Sequence, residues 1–262
     1  MNHPCRFCGS AAETVFVDLG VQPLANSNIA PERADDVEPF FPLCVRVCPE
    51  CLLVQLPEMA SPENIFGEYA YLSSTSTSWL KHCREFALDA ITRFGIGQGD
   101  LVVEVASNDG YLLKNFVEQG LTVLGIEPAA NVAAIAQNQG VPSISRFFGV
   151  ACARDLVAQG KRAKLLVGNN VLAHVPDIND FVGGLALLLD DEGVLSMEFP
   201  HVLRLIELNQ FDTIYHEHFS YLSLHTVKRI WAHHGIEVFN VIELPTHGGS
   251  LRVQGCKAGS AR

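Results

Sequence analysis

Leu101-Val102-Val103-Glu104-Val105-Ala106-Ser107-Asn108-Asp109-Gly110 decides the fold. Leu101–Val105 is an apolar run of strand character, interrupted only by Glu104. The next five residues are small or turn-forming, and a helical pattern then runs to about Gly120. An apolar strand that feeds a tight turn and a helix N-terminus is a cradle for a nucleotide-like ligand. Thr122–Ile126 reads as a second strand and ends at Glu127-Pro128, 23 positions after Glu104. A carboxylate at that tip can accept both hydroxyls of a ribose. The competing reading of Glu127 is a solvated strand end. A dinucleotide fingerprint would need G-x-G-x-x-G, which is absent here. Instead, an acidic residue is followed by small or turn-forming residues at every second position: Glu104, Ala106, Asn108 and Gly110.

Outward from this stretch the pattern alternates. Helical spacing is expected over Val132–Asn138, Ala151–Gln159 and Asp180–Leu189, and strands over Lys164–Val167 and Gly193–Met197. Ser223 reads as the N-cap of a helix through His234, stopped by Gly235. Glu237–Leu244 and Leu251–Gln254 read as two antiparallel strands. Repeated strand-turn-helix units of this length predict an open, mostly parallel sheet with helices on both faces. Upstream, Trp79–Phe94 has helical spacing and stops at Gly95. It follows the hydroxyl-rich connector Tyr69-Ala70-Tyr71-Leu72-Ser73-Ser74-Thr75-Ser76-Thr77-Ser78. The sequence divides into a small module over 1–60, a helical connector over 61–98 that contributes to the cofactor site, and a main domain over 99–262.

The small module has short β-like runs at Thr14–Leu19 and Leu52–Leu56, with Pro23, Pro31, Pro39 and Pro42 breaking up the middle. So little apolar periodicity usually needs a metal or disulfides. Five of the eight cysteines fall within the first 51 residues. Cys5-x2-Cys8 and Cys48-x2-Cys51 form two knuckles, the spacing at which four thiolates close a tetrahedral zinc site with no open position. Such a site is structural. Cys44 competes as a ligand, and Cys48 is preferred because it makes the two-residue knuckle with Cys51.

Six of the ten histidines lie between His201 and His234. Tyr215-His216-Glu217-His218-Phe219-Ser220-Tyr221 packs titratable groups into one short stretch. Helical i,i+3 spacing would turn Tyr215 and His218 to one site. A metal reading of His216 and His218 lacks a third ligand, and a structural reading makes them loop caps. The functional reading is a general base with hydrogen-bond donors beside it.

Glu104, Ala106, Ser107, Asn108 and Gly110 resemble the S-adenosylmethionine (SAM) methyltransferase pattern E/D-x-G-x-G-x-G, with Ala106 and Asn108 replacing two glycines. The resemblance implies a Rossmann-like α/β class I methyltransferase fold. Glu127 and Pro128 would then meet the ribose, Phe148 of Phe147-Phe148-Gly149 would face the adenine, and the Asn169-Asn170…His174 loop would pass beside the methionine part. Taken together, the paired knuckles, this turn, that loop, the Tyr215–Tyr221 run and His247-Gly248-Gly249-Ser250-Leu251-Arg252 are similar to the sugar C-methyltransferases, over essentially the whole chain. That family implies C-methylation beside the ketone of a dTDP-linked deoxyketosugar. It casts His218 as the base, His174 and Tyr215 as groups that orient the sugar or donate to the oxyanion, and Glu217 as a positioning group. Family members continue past Arg252 into a further α/β domain. This chain stops at Arg262, and its Gly255-Cys256-Lys257-Ala258-Gly259-Ser260-Ala261-Arg262 tail reads as non-structural. The expectation is a truncated gene, a fragment or a second polypeptide that completes the cleft.

Composition sets the remaining bounds. A formal net charge of −11 with no Lys/Arg block argues against a nucleic-acid polymer as partner. Apolar runs such as Leu185–Leu189 are too short to cross a bilayer. Met1-Asn2-His3-Pro4-Cys5 has no basic region before an apolar stretch, so a cytoplasmic protein acting on a small molecule is expected. Other readings are an O- or N-methyltransferase, or a non-catalytic SAM- and zinc-binding protein.

Overall fold

The computed structural model describes residues 3–26, 28–59 and 71–260. The expected module boundary at 60–61, Tyr69-Ala70 of the connector, Met1-Asn2 and the last two tail residues lie outside these. In chain order the elements are β1 (Thr14–Gln22), β2 (Phe41–Val47), β3 (Val54–Gln55), α1 (Thr77–Phe94), β4 (Leu101–Val105), α2 (Leu113–Val117), β5 (Thr122–Ile126), α3 (Ala130–Asn138) and β6 (Ser143–Ile144). There follow α4 (Val150–Ala158), β7 (Ala163–Asn169), α5 (Ile178–Leu188), β8 (Leu189–Pro200), α6 (Val202–Glu207), β9 (Ser220–Tyr221), α7 (Leu224–His233), β10 (Ile236–Leu244) and β11 (Ser250–Lys257).

Seven strands form one sheet in the order β10-β11-β8-β7-β4-β5-β6. Pairings from β8 to β6 are parallel, whereas β11 runs antiparallel to both β8 and β10. The strand order reverses at β4, which lies between β5 and β7, so the crevice at their C-terminal ends is the switch point where ligands bind. Side-chain alternation fills both faces. Val103, Val105 and Leu166 pack with Leu156, Phe181, Leu185 and Trp231 on one side. Val102, Leu165 and Val167 pack with Phe86, Leu112 and Phe116 on the other.

Local chemistry sets the helix ends. Ser76 accepts a hydrogen bond from the Trp79 amide at the start of α1, and Gly95 ends that helix at φ +65°. Asp177 caps α5 through the Asn179 and Asp180 amides, and Ser223 caps α7 through the Thr226 amide.

The second sheet has the order β1-β2-β3-β9. Its last strand comes from the Tyr215–Tyr221 run, with Gln55 opposite Ser220 and Val54 opposite Tyr221. The small module is therefore built partly from the main domain. β2 is also a correction, because the prolines do not break the middle throughout. Pro42 is the second residue of β2, where only β1 pairs with it, so its missing N–H is tolerated. The tail reading is corrected as well: Gly255, Cys256 and Lys257 belong to β11.

Candidate active site

Ala106, Asn108 and Gly110 all have positive φ, at +55°, +47° and +80°. The turn therefore has the backbone that three glycines would adopt most easily. Asn tolerates this region, but Ala does so at a cost of about 1–2 kcal/mol. Ala106→Gly removes that strain and adds about 0.5–1 kcal/mol of chain entropy cost. A net gain of about 0.5–1 kcal/mol is expected, a rise in Tm of about 2 °C; calorimetry that shows a loss would refute the strain.

Each side chain of the turn has a fixed task. The Glu127 carboxylate accepts from the Asn108 amide and from the Ala129 amide, both at 2.9 Å. Asn108 Oδ1 accepts from the Ser73 amide (2.9 Å), and its Nδ2 donates to the Tyr71 carbonyl (3.2 Å). Asp109 Oδ2 accepts from the Ser74 amide (3.2 Å). The connector is thus laced onto the turn. Ser107 fits because residue 125 is glycine; a Cβ there would lie 2.5 Å from the Ser107 hydroxyl. At Gly110 a Cβ would meet Val141 at 2.9 Å.

Three buried carboxylates, Glu104, Asp109 and Glu127, surround this crevice. Glu104 is wholly buried with the Tyr111 hydroxyl as its hydrogen-bonding neighbour, and one oxygen of Asp109 is buried with no hydrogen-bond partner among the described residues. Burial, and the proximity of Glu127 and Asp109, push the Glu104 carboxyl well up, while the Tyr111 hydroxyl opposes this. Burial also raises Glu127, against the amides of Ala129 and Asn108. Such a cradle repels a pyrophosphate and suits a ligand that carries positive charge beside a ribose. Asn169 is buried at the end of β7, near the Tyr111 hydroxyl. Asn170 stands at φ +53°, with its side-chain amide against His247 (3.0 Å). Pro128 is half-buried, and its carbonyl accepts from the Ser145 hydroxyl (3.1 Å). Phe148 packs edge-on against Phe181 of α5, with centroids 5.5 Å apart.

The Tyr215–His218 segment is a turn closed by the His218 amide on the Tyr215 carbonyl (3.0 Å), not the helix implied by i,i+3 spacing. The turn nevertheless joins the two side chains. His218 Nδ1 lies 2.8 Å from the Thr213 carbonyl, which can only accept, so Nδ1 carries the proton. Nε2 is left as an acceptor for the Tyr215 hydroxyl at 2.9 Å. The His174 ring stands edge-on to His218, with centroids 4.6 Å apart. Burial lowers the His218 pKa to about 4, against the pull of the Thr213 carbonyl, and His247 adds to the lowering. Burial and His218 hold His174 well below the usual histidine range. Glu217 faces elsewhere: its carboxylate accepts from Asn26 of the small module (2.7 Å). His216 turns the same way, to the Pro42 carbonyl (3.2 Å).

One network escaped sequence reasoning. Glu198, fully buried at the end of β8, accepts from Arg252 of β11 (2.7 Å), Thr246 (2.9 Å) and His82 of α1 (2.9 Å). Burial works against its ionisation, but His82 and Arg252 outweigh that and hold the carboxyl low. The available signal was a charged residue at matching inward positions of two apolar strands, Met197-Glu198-Phe199 and Leu251-Arg252-Val253.

Cys5, Cys8, Cys48 and Cys51 place their Sγ atoms within 4.8 Å of one another. The Cys5–Cys51 and Cys8–Cys48 separations are 3.4 and 3.6 Å, close to the roughly 3.8 Å edge of a tetrahedral zinc–thiolate site. Cys44 lies on β2, outside the set. Positive φ at Gly9 and Leu52 turns each knuckle. The four thiolates form the ligand set of a structural zinc ion.

The sheet order and the switch-point crevice define a class I methyltransferase fold. Magnesium protoporphyrin IX methyltransferase from Synechocystis PCC 6803, solved with bound SAH, superposes with a TM-score of 0.54 at 15% identity, over 75% of this chain and 92% of that one. Residues 79–241 match the family model "Methyltransferase domain", and residues 5–66 match "Putative zinc binding domain". This chain belongs to the methyltransferase-domain family, with an N-terminal zinc-binding domain. It is 37% identical to C-methyltransferase NovU of Streptomyces niveus over 249 residues, 95% of this chain. It spans 59% of that relative's length. A ubiquinone biosynthesis O-methyltransferase of Bartonella bacilliformis is 22% identical over 141 residues, 53% of this chain and 56% of the relative. Among the described residues, no helix is long and apolar enough to cross a membrane.

Proposed function

We propose that this chain is a SAM-dependent enzyme that methylates the carbon beside the ketone of a dTDP-linked deoxyketosugar, with His218 as the base. The observation that carries this reading is the tautomer of His218, whose Nε2 lone pair is held ready beside Tyr215 and His174. The similarity to a C-methyltransferase supports carbon as the acceptor. SAM, when bound, supplies an electrophilic methyl group on a sulfonium centre. Glu127 would hold its ribose and Glu104 would favour its positive charge. Asn108 and Asp109 keep the connector at 71–78 over the crevice. His218 Nε2 takes the α-proton of the ketosugar as the Tyr215 hydroxyl moves off it, and the C–H electron pair passes into the enolate. Tyr215 and His174 are placed to hydrogen-bond the developing oxyanion, the larger electrostatic contribution in such steps. The enolate carbon is where bound SAM would supply its methyl group, the electron pair of the S–CH3 bond staying on the neutral thioether. Glu217 acts at one remove, by tying this turn to the small module.

We divide the chain into the zinc module (1–60), the connector (61–98) and the methyltransferase domain (99–262). The lacing of Tyr71, Ser73 and Ser74 onto the cradle supports a connector that takes part in the cofactor site. Reduced thiolates as ligands support a cytoplasmic location.

The test is hydrogen exchange at the α-carbon of a dTDP-4-keto-6-deoxyhexose in D2O without SAM, followed by methyl transfer when SAM is added. The rival reading, O-methylation of another small molecule, draws on the similarity to the ubiquinone biosynthesis enzyme; it predicts no exchange. The cofactor site is tested separately by calorimetry. Glu127→Ala is expected to weaken SAM about 10–100-fold, for hydrogen bonds to a charged group worth about 1.5–3 kcal/mol. Unchanged affinity would move the ribose elsewhere.

A further inference from the structure

Beside His218 lies a water-sized space of about 20 Å3, lined among others by His201, Val202, Leu205 and Ser220, enough for a single oxygen atom. Ser220 is 1% exposed, and its hydroxyl has no hydrogen-bond partner among the described residues. Its place in the fold does not need that hydroxyl. β9 pairs with β3 through the backbone, and alanine would serve there equally well. A buried hydroxyl without a partner in a native protein calls for a reason. Ser220 is two positions beyond His218, with Phe219 between them fully buried beneath the Arg6 guanidinium (5.4 Å). Both His218 and Ser220 line this space.

We propose that Ser220 is a further catalytic residue, which donates its hydroxyl to the carbonyl oxygen of the acceptor within this space. This inference rests on the reading of the site as C-methylation beside a ketone. Ser220 would fix the carbonyl before the α-proton leaves, so that the α-carbon faces His218 Nε2. In the proton-transfer step the C–H bond breaks, the proton goes to Nε2 and the electron pair ends on the carbonyl oxygen. The Ser220 hydroxyl stays neutral and shortens its hydrogen bond as that oxygen gains charge.

The test compares wild type with Ser220→Ala in three measurements. These are Tm, SAM affinity by calorimetry, and α-hydrogen exchange of a dTDP-4-keto-6-deoxyhexose followed by NMR in D2O. The proposal expects Tm and SAM affinity at or above the wild-type values and exchange slowed about 100-fold, as for loss of one oxyanion donor. Exchange within threefold of wild type overturns it and leaves the proposed function standing. A marked fall in Tm overturns it too, because the hydroxyl would then be structural. Wild-type protein that binds SAM but exchanges no ketosugar hydrogen overturns both readings together.

Discussion

His218→Gln is expected to slow α-hydrogen exchange and methyl transfer about 10^3-fold, with zinc content and SAM affinity unchanged. Gln keeps a donor for the Thr213 carbonyl and roughly the size of the ring, but offers no basic nitrogen. The pH profile carries an independent signature. With its pKa lowered to about 4, His218 is already the free base throughout the neutral range. The acid limb of kcat/KM should therefore fall near pH 4, not near the 6.5 of an ordinary histidine. Stability follows the same residue with a defined sign. The folded pKa lies below the unfolded value of 6.5, so the contribution is complete above pH 6.5 and is lost as pH falls towards 4. The loss is on the order of 3 kcal/mol for a group this buried. Unfolding curves between pH 7 and 4.5 should show it, and the variant should be flatter by that amount. A limb at pH 6.5 in the wild type would show that some other, exposed group is the base.

Removing the zinc is expected to abolish the same exchange although the ion lies outside the reacting centre. Cys51→Ser leaves three thiolates, which should cut the zinc content from about one per chain to near zero. The route to the active site is explicit. β3 leaves the second knuckle and pairs with β9; the Leu56 amide donates to the Phe219 carbonyl at 3.0 Å, one residue after His218. Asn26 and Pro42 of the same module hold Glu217 and His216. The cysteines also reach into the main core, where Cys5, Cys48, Cys51 and Leu53 pack with the residues under β7 and β8. A loss on the order of 4 kcal/mol is expected, a fall in Tm of about 10 °C. SAM affinity should suffer less, because the Asn108–Glu127 cradle has its own hydrogen bonds. Zinc-free protein that exchanges the ketosugar at the wild-type rate would reduce the module to a passive domain.

Much of this site was written in local pattern. The cradle was legible because strand, turn and helix are short-range events, and Glu127 follows from the length of one β-α-β unit. The cysteine knuckles were legible because two-residue spacing is itself the ligand geometry. Phe148 shows what such reading leaves out: an aromatic pair in sequence does not reveal its edge contact with Phe181 of a distant helix. The Glu198–Arg252–His82 network lay out of reach for the same reason, since it joins β8, β11 and α1.

The sequence by itself determined the alternating α/β layout, the carboxylate-lined turn, the four-thiolate set and the concentration of titratable groups at 215–218. Each is read from short-range spacings, such as the two residues inside each knuckle and the length of one strand-turn-helix unit, so the chain's own periodicity specifies it. Only the tertiary structure decided the division of labour within Tyr215-His216-Glu217-His218. A closed turn sends Tyr215 and His218 to one side, with a carbonyl from Thr213 fixing the tautomer, and sends His216 and Glu217 to the zinc module. It also decided that the module and the active site share a sheet. Strand pairing between residues 54–55 and 220–221 depends on backbone hydrogen bonds that carry no mark in the side chains, so no local pattern announces it.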